Sequence, residues 1–204
     1  MKKFLVLMLA AVISITAVEA QQLSKKELKA REKALQQEIA GYQAQGWTVA
    51  PGNLSMREQI TRSKTFIYAL NDNGDPKYIT GEAIVVAQTY KAAMQSAQNG
   101  VKLDAANKLH SELVALTTTD LANVEEANKE AISIDKVVSA AKEKVAATLS
   151  RGINLVTMHR EVAHNGHIEL RLVYAYDFEK MAENIKKAAR QSLQEEVDKL
   201  KAQL

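Results

Sequence analysis

The sequence predicts an α+β domain, and three observations carry that prediction. Two stretches rich in aromatic and β-branched residues, 65–87 and 153–176, are each interrupted by turn-forming residues. After each, the apolar period switches from two to that of a helix. Capping signatures stand where helices should open. The expected architecture is two antiparallel β-hairpins forming one sheet, packed against long amphipathic helices, with a further helix at the N-terminus.

The chain opens with MKKFLVLMLAAVISITAVEAQQ. Lys2 and Lys3 form a positive start, residues 4–17 an apolar run and Val18-Glu19-Ala20 a small-residue cleavage pattern, so residues 1–20 read as a secretory signal peptide cut after Ala20. The apolar run is shorter than the roughly 20 residues a permanent anchor needs. The product is therefore expected to be exported, periplasmic or secreted, without a transmembrane anchor. The 204-residue chain has no cysteine, which for an exported protein excludes disulfides and the lipidated cysteine of a bacterial lipoprotein. A net charge of +3 gives no basis for nucleic-acid binding.

Ser24 and Glu27 have the spacing of a capping box and open an N-terminal amphipathic helix, assigned to residues 21–46, with Leu28, Leu35, Ile39 and Tyr42 as its stripe and Gly46 as its stop. Residues 47–204 are read as a single α+β domain. Residues 47–53, with Pro51 and Gly52, form a loop, and the only tryptophan, Trp47, is expected to plug the edge of the core. Ser55 and Glu58 repeat the capping-box spacing and start a short helix over residues 56–63.

Residues 65–70 and 77–87 are expected to pair as the first hairpin around Asn71-Asp72-Asn73-Gly74-Asp75-Pro76. The same linker fails as a calcium loop: numbered from Asn71, the glycine needed at position six is Pro76, and numbered from Ala69 the first ligand is missing. In the second arm Ile79, Gly81, Ala83, Val85 and Ala87 share one face. Ile84 and Val86 lie on the other, which predicts burial on both sides at the strand's end.

From Thr89 the stripe Ala93, Ala97, Val101, Ala105, Leu109, Leu113 and Leu116 predicts one helix whose small residues let it sit close to the sheet. Asn99-Gly100 costs it about 1 kcal/mol of propensity. Residues 117–120 are expected to interrupt it, and a weakly patterned stretch runs to Glu130. Ile134, Val137, Val138, Ala141, Val145 and Leu149 form a second long helix, ended by Gly152.

Residues 153–162 and 168–176 form the second hairpin. A two-residue Asn165-Gly166 turn would oppose Arg160 to Arg171 and Glu161 to Leu170, mixing polarity on both faces. A five-residue loop instead pairs Val162 with Ile168, Met158 with Leu172 and Val156 with Tyr174, and leaves Glu161, Glu169, His159 and Arg171 together on the other face. One-sided burial favours the longer loop, although Asn-Gly is the stronger local turn signal. Asp177 then caps a terminal helix with the stripe Phe178, Met181, Ile185, Ala189, Leu193, Val197, Leu200 and Leu204.

The run Tyr78-Ile79-Thr80-Gly81-Glu82-Ala83, the alanines at 87, 93, 97, 105 and 106, and the strand Glu169-Leu170-Arg171-Leu172-Val173-Tyr174 resemble the Lpp-twenty-type family of exported bacterial lipoproteins. Gly46-Trp47-Thr48-Val49-Ala50-Pro51-Gly52-Asn53-Leu54 is similar to exported proteins of gut Bacteroidetes that carry that domain. The likeness covers Trp47 to the C-terminus. It implies an envelope location and an α+β fold, and supplies no catalytic residues; the missing cysteine departs from the family's lipid anchor.

No catalytic residue, cofactor or resident metal is expected. The nearest approach to a metal-ligand set is His164 and His167 with Glu161, supported by His159 and Glu169 near the same hairpin tip. Arg171 on the same face and the flexible loop count against it. His110 reads as a solvated helix residue. There is no Gly-x-Ser-x-Gly elbow, no phosphate-cradling loop and no His-Glu-x-x-His. The expected function is an exported, non-enzymatic module binding a protein or cell-envelope component. The alternative is a small-ligand or metal-binding protein, or a hydrolase without a recognisable motif. A broad apolar surface patch would favour the first, a deep polar pocket the second.

Overall fold

The computed structural model describes residues 25–122, 124, 132–149 and 152–202. The expected signal peptide and cleavage site, Ser24 of the expected first capping box, most of the stretch 123–131 and Leu204 lie outside the described residues. The chain divides into two compact units, Met1–Ala34 and Leu35–Leu204. The described part of the first is helical, and Leu28 within it is exposed.

The elements are α1 (Lys25–Ala44), α2 (Met56–Ile67), β1 (Tyr78–Ala87), α3 (Tyr90–Lys108), α4 (His110–Leu121), α5 (Ile134–Thr148), β2 (Ile153–Glu161), β3 (Ile168–Asp177) and α6 (Phe178–Lys201). The fold is α+β. One antiparallel sheet has the order β1-β3-β2, so the last strand to form in sequence lies at the centre. No helix among the described residues is long and apolar enough to cross a membrane.

Both faces of β3 are covered. Leu170, Leu172, Tyr174 and Tyr176 point into the larger core, where α3, α5 and α6 contribute Ala97, Val101, Val145, Met181 and Ile185. Val173 and Ala175 point the other way, against Trp47, Met56, Ile60 and Met158, with Leu35, Ile39 and Tyr42 of α1 packed on that cluster. A third cluster joins Val137 of α5 to Leu193 and Val197 of α6.

The small-residue stripe of α3 does what its spacing predicts. Ala93, Ala97, Val101 and Ala105 are all fully buried. The approach to the sheet is close enough that a Cβ at Gly81 would collide with the Val101 carbonyl oxygen, and one at Gly100 would meet the Ala83 Cβ at 2.8 Å. The Ser55–Glu58 capping box is present: Ser55 Oγ accepts from the Glu58 amide at 3.3 Å, and a Glu58 carboxylate oxygen accepts from the Ser55 amide at 2.9 Å. Asp177 caps α6 by accepting from the Lys180 amide at 3.2 Å. Trp47 is buried, with the Arg160 guanidinium 4.9 Å above its ring.

Four expectations are corrected. Among the described residues the expected first hairpin has only one strand, and the sheet three in all. Residues 65–67 belong to α2, where Thr65 Oγ1 donates to the Thr61 carbonyl at 3.2 Å; a single bridge between Leu70 and Pro76 is all that remains of the pairing. The capped helix, whose buried Met56, Ile60 and Ser63 keep a helical period, overrides the β-branched composition of its last turn. The Asn71–Pro76 segment is still a tight turn, in which Asn71 Oδ1 accepts from the amides of Asn73 and Asp75 at 3.0 and 2.9 Å.

Second, the helix after Thr89 breaks at Leu109 rather than at residues 117–120. Leu109 is buried at the corner between α3 and α4, and Thr117 lies fully buried inside α4. Thr119 Oγ1 donates back to the Ala115 carbonyl at 2.8 Å, a bond that a helix accommodates, and the threonine run is helical.

Third, the second hairpin is one residue out of the expected register. Glu161, not Val162, opposes Ile168, and Met158 opposes Arg171; the connection is closed by the Val162 amide donating to the His167 carbonyl at 2.8 Å. The expected register assumed that one face of the hairpin meets solvent. Here both faces are buried, so Val156 and Met158 pack against the Trp47 cluster, and a bulge between Asn154 and Val156 lets Leu155 bury as well. Fourth, Ile84 and Val86 are not buried: each is 53% exposed.

Candidate functional site

β1 is an edge strand, and its outer edge is closed over half its length. In a strand the backbone groups of alternate residues point to the same side. The Glu82 amide donates outward to Asp104 Oδ2 at 2.9 Å, and Lys108 Nζ donates to the outward Thr80 carbonyl at 2.7 Å. Both side chains come from α3, one turn apart, and pair with each other at 2.9 Å. By the same alternation the backbone groups of Ile84 and Val86 face outward, and they have no partner among the described residues. One turn before Asp104 the helix carries Gly100, which has no side chain to reach them.

The side chains of Ile84 and Val86 form an exposed apolar strip on the face opposite α3. Their cross-strand neighbours on β3 are Arg171 and Glu169. Arg171 Nε donates to Glu82 at 2.7 Å, its guanidinium lies 5.0 Å from the Tyr42 ring centre, and it also hydrogen-bonds the Tyr42 hydroxyl. Burial opposes the charge on Arg171, but the bonds and charges of Glu82 and Tyr42 outweigh it and raise its pKa above the ordinary arginine value. Glu169 accepts from Arg160 Nε at 2.5 Å, while Arg160 Nη1 holds the Gln45 carbonyl at 2.9 Å. The charges beside the strip are thus paired within the chain.

The histidines lie as follows. His164 sits in the exposed turn of the second hairpin; His167 closes it, its amide donating to Asn165 Oδ1 at 3.0 Å. Glu161 is exposed at the end of β2. The observed register places Glu161 and His159 on the α3 face, away from Glu169 and Arg171, so these four do not share a face as expected. His159 pairs through its backbone with Thr48, its Nε2 lies 3.4 Å from Thr48 Oγ1, and Tyr90 meets its ring edge-on at 5.3 Å. Its Nδ1 is buried and lacks a partner. No group of three or more His, Asp or Glu side chains converges as a metal site among the described residues. His110 is exposed.

Grooves lined by described residues lie at two places. One of about 450 Å³ runs between α5 and α6, where Glu195 and Glu196 are paired with Lys144 and Lys199. One of about 420 Å³ lies beside the Asn71–Pro76 turn, and Lys108 in it is the same lysine that closes the β1 edge. The closure of the edge was not legible beforehand, because an Asp-x-x-x-Lys pair on a helix reads as an ordinary solvated pair.

No protein-family model matches the chain, and no match was found among curated proteins or among solved structures.

Proposed function

We propose that this chain is an exported, non-enzymatic module that binds a protein or a component of the cell envelope. The observation that carries the reading is the exposed apolar strip of Ile84 and Val86 on the open half of an edge strand. Edge strands are normally protected, and this one is protected only as far as Glu82. Support for the location comes from the signal-peptide pattern of residues 1–20 and the resemblance of residues from Trp47 onward to the Lpp-twenty-type family, with a soluble rather than lipid-anchored product because there is no cysteine.

The test is expression of the full chain with a photo-crosslinking residue at Ile84 and, as control, at the equally exposed Leu103 of α3. The expected result is a processed protein in the envelope or medium that crosslinks to a defined component from position 84 only. An unprocessed cytoplasmic product, or equal crosslinking from both positions, would overturn the reading.

A further inference from the structure

We infer that the open half of β1 is a strand-addition site whose occupant is an uncharged, extended polypeptide segment with β-branched side chains. The inference rests on the binding-module reading and names the partner's chemistry. Three observations select that chemistry. Beyond Glu82 the strand offers the outward N–H and C=O groups of Ile84 and Val86 at strand spacing, the alternation of donors and acceptors that the backbone of an added strand matches. The side chains flanking those groups are apolar and β-branched, the residue types that pair well across neighbouring strands. The neighbouring charges are already matched, Arg171 by Glu82 and Glu169 by Arg160, so the strip is electrically neutral and its complement is a neutral segment.

The closure at Asp104 and Lys108 sets the limit of the added strand. An incoming chain can pair alongside Ile84 and Val86, but at Glu82 it meets a donor already engaged by Asp104 and at Thr80 an acceptor already engaged by Lys108. Recognition should therefore be short, two outward residues of β1, and bounded by the α3 N-cap at Thr89 on the other side.

The probe is a synthetic nonapeptide of alternating valine and threonine with one added lysine at each end for solubility, titrated into the isotope-labelled full chain and followed by backbone amide NMR. The expected result is saturable shifts centred on Ile84 and Val86. Val86→Pro removes an outward N–H that the β3 ladder does not use, and should weaken binding at least tenfold while Trp47 fluorescence stays native. Val86→Lys is the second variant, should the proline disturb the strand, and should weaken binding similarly. Leu103→Lys should leave it unchanged. Shifts elsewhere, no saturable shift, or unaltered binding by both Val86 variants would overturn the inference. So would concentration-dependent dimerisation of the free chain that Val86→Pro abolishes, since a second copy would then occupy the edge. If envelope crosslinking at position 84 persists in Val86→Pro, the strand-addition inference fails while the binding-module reading stands.

Discussion

Gln59 and Thr157 are joined across the smaller core: Gln59 Oε1 accepts from the Thr157 backbone amide at 2.7 Å, and Gln59 Nε2 donates to the Leu54 carbonyl at 2.7 Å. A buried glutamine on α2 thus supplies the partner that the β2 backbone lacks just beyond its bulge. Gln59 is 3% exposed, and its bond to Thr157 is shielded from water. The bond anchors α2 over the face of the sheet that also holds Trp47.

Gln59→Ala should therefore cost about 1 to 3 kcal/mol, because it strands a buried backbone N–H as well as losing the bond. The urea midpoint measures it. Exposed Gln95→Ala on α3 serves as the control and should move the midpoint little.

Leu109→Ala should cost about 2 to 5 kcal/mol, since the side chain is fully buried where α3 turns into α4. His110→Ala, one residue on and exposed, should change stability little. Comparable shifts in urea for the two would mean that the face of this corner is misassigned.

Tyr176 sets an alkaline limit. Its hydroxyl is buried without a partner, and burial first, then the neighbouring Tyr174, pushes its pKa up from 10.0 to about 12. The folded state holds this proton where the unfolded chain has lost it, so stability is intact below pH 10 and falls as pH rises from about 10 towards 12. Tyr176→Phe should flatten that fall in thermal melts. An unchanged alkaline slope in the variant would contradict the assignment.

Replacing both His164 and His167 by Ala should leave folding intact, and zinc or a chelator should not move the thermal midpoint. Metal held at about 100 times its Kd by the native state would add roughly 2.7 kcal/mol. A zinc-dependent rise of several degrees, lost in the double variant, would make these residues metal ligands with a neighbouring Glu.

The parts of the fold legible in the sequence were those with local physical causes. The Ser55–Glu58 box, the Asp177 cap and the stripe Ala93, Ala97, Val101, Ala105 each depend on spacing within a few turns. The errors came where a distant element decided the outcome. The hairpin register turned on whether a second layer covered β2, and nothing in residues 153–176 announces Trp47, Met56 and Ile60 as that layer. The exposure of Ile84 and Val86 had the same origin, because the smaller core covers β2 and β3 and leaves this part of β1 bare. The candidate site was hidden for a further reason: the closing bonds from Asp104 and Lys108 join residues 22 and 28 positions apart.

The central claim, an edge strand closed to Glu82 and open beyond it, is tested most directly by amide hydrogen exchange in the free full chain. The Glu82 amide should exchange slowly and lose its protection in Asp104→Ala, while the amides of Ile84 and Val86 exchange rapidly in both proteins. Ile84 and Val86 protected as well as Glu82 would contradict an open edge, and a Glu82 amide indifferent to Asp104→Ala would contradict its closure.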